Sequence, residues 1–487
     1  MRVACLLLPD LPLATALRCE PELHDKPVAI VENARRGGGP VILCGHLRGL
    51  DVAQARSLAP DLVVRTLSLE GMHSTQEALL DLARSISPQV QETAAGRVHI
   101  DLRGTESLFP TERGLRTALE SRAHDLGLRT LRIGIGPTRT IAELAARYPN
   151  GGTIVATGDR QRFLAPLPLD LLDPGEDLVE RLERWGIRTL GQLAALPRQA
   201  LGTRLGEAGV RLARRARGED LSPFQPTLPQ PRFTESWEPD CAVTSLEALG
   251  FCLRGVLDRL SRRLRLRGLA VRALRIELTL ESGASHARDV ELGAPTTETP
   301  VLLSLLRLAL EKDPPRAAVE QIRVLATPGS VDSAQLDLFR PPLPAPAELA
   351  VTIARLEALC GPEQIGAPGC RDTHRLDEAH LRSFRTRPRP VRVRSRLPAL
   401  PTLALRALRP PLEVRVRERE GIPEGVELRG RPLRVRHHAG PWRLFGEWWG
   451  ESCFARDYFD IELSDHVVYR LYRNLRDERW FIDGHYD

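Results

Sequence analysis

The sequence predicts a multidomain protein of mixed α/β and α+β class that ends in a small β-rich module, and three observations carry that prediction. At 487 residues the chain exceeds what one ordinary hydrophobic core accommodates. Its first 160 residues alternate short apolar runs with amphipathic stretches, the pattern of an α/β sheet. Its last fifty gather aromatic residues into alternating runs divided by turn signals.

Val3–Leu8 is all apolar and reads as a buried central strand, with Pro27–Glu32 and Pro40–Leu43 as further strands. Val52–Leu58 and Ser74–Ile86 read as helices, the second with clear amphipathic spacing. Val98–Leu102 is a strand ending at Arg103-Gly104, Leu115–Asp125 a helix and Leu131–Gly136 a strand. Thr140–Arg147 is a helix stopped by Tyr148-Pro149-Asn150-Gly151-Gly152. Pro166–Asp220 changes to short helices punctuated by Gly and Pro, including a tight turn at Gly186–Gly191. Proline-rich Ser222–Pro231 is a linker. Beyond it, a long arginine-rich helix (Ser245–Leu266), strands at Ala270–Leu280, Ala287–Leu292 and Val319–Ala326, and a helix at Pro300–Glu311 make a small α+β domain. Pro346–Leu359 has the spacing of a helix. From Arg382 to Arg419 arginines accumulate, and the prolines from Pro388 to Pro411 argue against a packed element. Ile461–Leu463, Val467–Tyr472 and Trp480–Ile482 read as antiparallel strands.

The net charge of +6 is carried almost wholly by arginine, since only Lys26 and Lys312 are lysines. A guanidinium fork binds two phosphate oxygens at once, which suits nucleic acid, although an arginine-for-lysine bias follows equally from genome composition. The eight cysteines form no Cys-x-x-Cys pair, so the spacing signals neither a zinc site nor a disulfide framework. No apolar stretch is long enough to span a bilayer, and the expected location is the cytoplasm, in association with the nucleoid.

Gln335-Leu336-Asp337-Leu338-Phe339 stands apart from these elements. It precedes the stiff run Pro341-Pro342-Leu343-Pro344-Ala345-Pro346, which cannot join a sheet. The pentapeptide suits docking elsewhere, its Leu and Phe filling an apolar pocket and its Gln amide fixing register. A short strand with Leu336 and Leu338 on one side is the alternative.

Over residues 1–330 the order of these pieces resembles a Y-family, translesion DNA polymerase. The landmarks are His99-Ile100-Asp101-Leu102-Arg103-Gly104, the strand-loop-helix Ile133–Arg147, Pro149-Asn150-Gly151, and Gly186–Leu196 followed by Arg217-Gly218-Glu219-Asp220. The resemblance implies a palm at 1–22 and 70–160, reduced fingers at 23–69, a helical thumb at 161–222, a linker at 223–234 and a little finger at 235–328. A second linker at 329–346 would carry the pentapeptide, an Arg/Pro-rich extension would span 347–440, and the aromatic module 441–487. Nucleotidyl transfer in such enzymes uses two metal ions held by carboxylates. At the positions implied for those carboxylates this chain has Leu8, Gly96 and Arg97, so no cofactor is expected. Asp10, Asp101 and Glu106 are the candidates for a replacement set. Tyr148 stands where the family usually has lysine, and the fingers loop is shortened to Gly45–Leu50.

Loss of catalysis leaves DNA binding possible, because phosphate contacts need only cations and backbone N–H groups. Arg188, Arg211, Arg214, Arg215, Arg217, Arg262, Arg263, Arg265, Arg272 and Arg275 are the expected contacts to damaged or primed DNA, without sequence preference. Gln335–Phe339 resembles the bacterial sliding-clamp-binding motif. Together with the arginine-rich and aromatic tail, this resembles the ImuB family, the inactive polymerase relatives of a bacterial mutagenesis cassette. The resemblance implies an adaptor joining the β sliding clamp, an error-prone C-family DNA polymerase and a RecA-like partner, ImuA. Trp442, Trp448, Trp449 and Trp480 are the expected partner-binding residues of the tail. The competing expectations are an active Y-family polymerase with an altered metal site and a clamp-independent nucleic-acid-binding protein.

Overall fold

The apolar run near the N-terminus builds the strand on which the first unit is assembled. In the computed structural model, which describes residues 2–32, 42, 47–148, 152–228, 233–330, 349, 352–353, 355–357, 360–369, 380–382, 404–447 and 453–486, that run is β1 (Val3–Leu7). The chain divides into two compact units, Met1–Arg355 and Leu356–Asp487. After β1 come α1 (Leu11–Cys19), β2 (Val28–Val31), α2 (Val52–Leu58), β3 (Val63–Thr66) and α3 (Leu69–Arg84). β4 (Val90–Ala94), β5 (Arg97–Asp101), α4 (Glu112–Asp125), β6 (Arg132–Gly136) and α5 (Arg139–Arg147) follow. The four-stranded sheet has the order β4-β5-β1-β6, with β1 antiparallel to both neighbours.

β1 is apolar on both sides because both faces of the sheet are covered. Ala4 and Leu6 join Val98, Ile100, Ile133 and Ile135 in a core closed by α1, α3 and α4. On the opposite face Val3 and Cys5 pack against Ala142 and Ala146 of α5. Gly134 of β6 permits that approach, since a Cβ there would overlap the backbone of Ala142 and Ala146. β2 and β3 form a separate parallel pair with α2 packed on it through Ala55. Of the expected strand Pro40–Leu43, only Ile42 lies within the described residues, where it bridges to Val31.

α6 (Arg160–Leu164), α7 (Glu176–Arg184), α8 (Leu190–Ala194) and α9 (Arg198–Ala216) form the helical portion. α9 is broken at Gly206 (φ 66°, ψ −161°), where the backbone leaves the helical region, so two shorter helices meet there at a kink, in keeping with the glycine punctuation of the sequence. Next come β7 (Phe233–Trp237), α10 (Leu246–Leu266), β8 (Leu269–Leu280), β9 (Ser285–Thr296), α11 (Thr299–Lys312) and β10 (Val319–Ser330). Their sheet, ordered β7-β10-β8-β9, is covered on one face by α10 and α11. The segment before β7 is not the free linker expected over 223–234. Thr227 N–H donates to the Val90 carbonyl (2.7 Å) and Glu92 N–H to Thr227 Oγ1 (2.9 Å), so it lies along the edge of β4.

A buried ion cluster ties these two sheets together. Glu235 of β7 is fully buried and accepts from Arg18 of α1 (2.7 and 3.0 Å), Arg263 (3.0 Å) and Arg259 (3.3 Å) of α10, and Ser74 of α3 (2.6 Å). Arg263 also donates to Asp81 of α3 (2.8 Å), which takes a second bond from Arg267 (2.9 Å). Burial alone would raise the Glu235 pKa, but Arg18, Arg263 and Arg259 outweigh it and hold the carboxyl at about 2.

In the second unit, β11 (Ala367–Gly369) and β12 (His380–Arg382) form a small antiparallel pair. β13 (Leu405–Arg419), β14 (Ile422–Leu428), β15 (Arg431–Gly446), β16 (Phe454–Leu463), β17 (Val468–Asn474) and β18 (Trp480–Tyr486) form a closed barrel in which each strand pairs with the next and β18 returns to β13. This corrects the expected division at 440/441, because β13, β14 and most of β15 lie in the stretch read as an unpacked extension. The prolines misled: Pro410 and Pro411 sit where the β13–β18 register shifts between Ala407 and Leu412, so no ladder donor is lost. Val414, Val426, Phe459, Ile461, Leu463, Leu471, Trp480 and Ile482 fill the barrel.

Glu235→Ala leaves three buried guanidinium groups without their shared acceptor and should destabilise the first unit by roughly 3–5 kcal/mol in denaturant unfolding. Because the folded pKa of Glu235 lies below the ordinary value of 4.5, its contribution is present above that pH and is lost as pH falls toward about 2. Glu235→Gln should flatten that part of the stability–pH curve.

Candidate functional site

The three positions where the sequence implies metal ligands are neighbours in space. β1 and β5 pair with Leu7 opposite Arg97, and Leu8 N–H donates to the Gly96 carbonyl at 2.8 Å. Gly96 closes the β4–β5 hairpin at φ 72°, and its N–H donates to Gln76 Oε1 (2.7 Å). A Cβ at this position would stand 2.7 Å from the Leu8 carbonyl oxygen, so both the dihedral and the space exclude an aspartate without rearrangement. The Leu8 side chain is buried in the palm-like core. Arg97 points toward α5 and pairs with Glu143, which also pairs with Arg147 (3.1 Å). Arg147 in turn pairs with Asp173 (2.7 Å), completing a chain of alternating charges.

Asp10, Asp101 and Asp220 are each engaged. Asp10 caps α1, accepting from Leu13 N–H (3.1 Å). Asp101 holds Arg103 (2.6 Å) and the Arg103 N–H (3.1 Å). Asp220 caps α5, accepting from the N–H groups of Arg139 (3.1 Å) and Thr140 (3.0 Å). The replacement set Asp10, Asp101 and Glu106 does not converge. Asp101 pairs with Val3 at one end of the strands, whereas Asp10 lies beyond Leu7 at the other, and that span alone is roughly 13 Å. Among the described residues no three of His, Cys, Asp and Glu are grouped to hold a metal ion. The residues present do not fit a catalytic divalent cation.

His99 of β5 is a buried titratable group of this face. Its Nδ1 lies 3.1 Å from Thr93 Oγ1, and burial together with Arg97 and Arg139 lowers its pKa to about 4. It is neutral at physiological pH. Burial likewise pushes the Cys5 thiol up, so neither group is poised for chemistry.

The expected phosphate contacts separate into accessible and committed arginines. Arg188 is exposed at the turn made by Gly186 (φ 73°), and Arg211 is exposed beside Glu207 (3.6 Å). Arg262, Arg265 and Arg272 are exposed as well. Arg262 and Arg265 line a cavity of about 560 Å³ between α4 and α10, facing Arg122 and Arg129. Arg275 is exposed but held between Glu277 (2.9 Å) and Asp289 (3.2 Å). Arg263 is a correction: with 0% side-chain exposure inside the ion cluster, it has no surface to offer a phosphate. Arg214 pairs with Glu219 (3.0 Å), Arg215 donates to the Leu172 carbonyl (2.8 Å), and Arg217 donates to those of Ala194 and Leu196 (3.1 Å each). Arg215 and Arg217 thus tie helices of this portion together, whereas the Arg214 pair is local and half exposed.

In the barrel, Trp480 is 7% exposed and packs on Phe459 (centroids 5.6 Å apart), so it belongs to the core rather than to a partner surface. Trp442 is 45% exposed. Gln335–Phe339, Trp448, Trp449 and Pro149–Gly151 lie outside the described residues. Sequence reading missed Glu143 and Asp173, whose partners are set by the packing of α5, and Glu235, whose lone carboxylate among strand residues carries no motif. No described helix is long and apolar enough to cross a membrane.

Residues 13–147 match the impB/mucB/samB family model. The chain is similar over 90% of its length, and 99% of the relative's, to Protein ImuB of Caulobacter vibrioides, at 26% identity. It is 28% identical to DNA polymerase IV 1 of Mesorhizobium japonicum over 57% of its length and spans 66% of that relative. Among solved structures, DinB from Sulfolobus solfataricus aligns with 67% of this chain and 99% of its own, at 16% identity and a TM-score of 0.40.

Gly96→Asp should lower the thermal midpoint clearly while creating no Mg²⁺ site in calorimetric titration. The less crowded substitution Arg97→Gln should cost much less.

Proposed function

We propose that the chain is a non-catalytic, DNA-binding adaptor of translesion synthesis and damage-induced mutagenesis. The observation that carries this reading is the geometry of Leu8, Gly96 and Arg97. They adjoin one another, none supplies a carboxylate, and Arg97 puts a guanidinium paired with Glu143 where cations would have to gather. A positive group there opposes binding of a second positive ion. The remaining polymerase-like surface keeps exposed arginines, Arg188, Arg211 and Arg272 among them, suited to a sugar–phosphate backbone read without regard to sequence.

On this reading Gln335–Phe339 docks on the β sliding clamp with Leu338 and Phe339 as anchors. The clamp then concentrates an error-prone C-family polymerase and a RecA-like ImuA partner held by the C-terminal region. The similarity to Protein ImuB along nine tenths of the chain supports this assignment. A second reading, an active Y-family polymerase, draws on the relatives named DNA polymerase IV.

Primer extension with Mg²⁺ or Mn²⁺ separates the two. The adaptor gives no incorporation above background, whereas robust incorporation abolished by Asp101→Ala or Glu143→Gln supports the polymerase. In clamp pull-downs, Gln335→Ala with Phe339→Ala should reduce capture at least tenfold while leaving primer–template binding unchanged. Undiminished capture would overturn the clamp assignment.

A further inference from the structure

The two halves of the C-terminal barrel treat their arginines differently. On β16, β17 and β18 nearly every guanidinium is satisfied: Arg470 by Asp460 (3.2 Å), Arg479 by Asp477 (2.8 Å), and Arg456 by the Tyr458 hydroxyl (3.0 Å) and the Tyr472 ring (4.4 Å). This half also takes acidic residues from the other. Glu413 and Glu418 of β13 turn to Arg479 (3.5 Å) and Arg473 (3.6 Å). Among the described residues, Arg415, Arg417 and Arg434 on the outer face of β13–β14–β15 have no such ion-pair partner.

Strand register defines that face. Val414, Val416, Val426, Leu433 and Val435 point into the barrel, so Arg415, Arg417 and Arg434 point outward. Gly425 pairs with both Arg417 and Arg434, making one row across three strands. With no side chain at Gly425, the Arg417 side chain reaches over it, its Nη2 3.3 Å from where a Cβ would be. All three arginines are exposed and have no ion-pair partner among the described residues. Glu427, the register neighbour of Arg415, makes no ion pair with it. Helix dipoles do not account for these cations, since they stand on strands.

The same face carries an aromatic group. Along β15, Trp442 lies opposite Tyr458, on the side away from the core residues Phe459 and Ile461, which makes it an outward residue like Arg434. It is 45% exposed. Trp442 stands eight residues beyond Arg434 on β15, past the register shifts between Val435 and His437 and between Ala439 and Trp442.

We propose that the outer face of β13–β14–β15 is a binding surface for single-stranded DNA. Arg415, Arg417 and Arg434 engage successive phosphates and Trp442 stacks on an unpaired base. A row of cations on the outside of the barrel matches a phosphate chain, and an exposed indole on the same strand matches a base face, which a duplex keeps hidden. DNA rather than RNA rests on the adaptor reading above. The site is separate from the arginines of the first unit, so the full chain has two places to hold nucleic acid, one of them selective for unpaired strands.

The test is fluorescence anisotropy of the full chain with a labelled dT oligonucleotide of about 20 residues across a salt series. Replacing Arg415, Arg417 and Arg434 together by Gln should weaken binding at least tenfold and make the log–log salt slope shallower by about 2. The corresponding Arg→Lys triple variant, which preserves charge and tests for misfolding, should stay within about threefold of wild type. Trp442→Ala should weaken binding roughly fivefold. Unchanged affinity and slope in the Gln triple variant overturn the proposal. So does equal displacement of the oligonucleotide by polyglutamate, which would mark an acidic-protein site, or preference for an rU strand. Arg188→Gln with Arg211→Gln should weaken primer–template duplex binding but not dT binding. Failure of the adaptor reading registers in primer extension and clamp capture instead, independently of the dT result.

Discussion

The fully buried carboxylate of Glu235 is the constraint on which the architecture of the first unit depends. A single carboxylate taking hydrogen bonds from Arg18, Arg259, Arg263 and Ser74 must be surrounded by α1, α3 and α10 at once, so it fixes where the second sheet sits against the first. Charges removed from water this completely are stabilising only while every partner is present. Apolar packing on the same elements would tolerate sliding; a carboxylate forked by guanidinium groups does not. The segment before β7, bonded along the edge of β4, adds a second restraint in the same direction.

That constraint bears on function through the arginines. The charge that makes the composition look suited to nucleic acid is divided between internal and external uses. Arg18, Arg259, Arg263, Arg215 and Arg217 hold the protein together, Arg97 and Arg147 neutralise Glu143 and Asp173, and a smaller set remains at the surface. The guanidinium group suits all three uses because it stays charged when buried and bonds in two directions. Arg97 marks the point where the structural use meets the chemical one, since it pairs with the Glu143 carboxylate beside the expected metal positions.

Much of the fold was legible because its signals are local. The apolar run Val3–Leu8, the amphipathic spacing of Ser74–Ile86 and the glycine turns at Gly104 and Gly186 each declare an element within a few residues. The adjacency of Leu8, Gly96 and Arg97 was also within reach, through the resemblance that aligned them. What stayed hidden depends on contacts distant in sequence. Nothing near Arg263 says that Asp81 and Glu235 will surround it, and the periodicity of α10 does not distinguish it from the exposed Arg262. In the barrel, the alternation Val414-Arg415-Val416-Arg417 was readable as a strand, but the arginine and proline bias around it masked the pattern. Trp480 shows the same limit, because an aromatic tail looks alike whether its rings fill a core or await a partner.

The central claim is that the palm-like face holds no catalytic metal, and Mn²⁺ binding measured by electron paramagnetic resonance tests it most directly. With the full chain, a primer–template and a non-hydrolysable nucleotide, the account predicts the spectrum of Mn²⁺ bound to nucleotide alone, unchanged by adding protein. A protein-dependent Mn²⁺ signal of one or more ions per chain, lost in Glu143→Gln or Asp101→Ala, would contradict it.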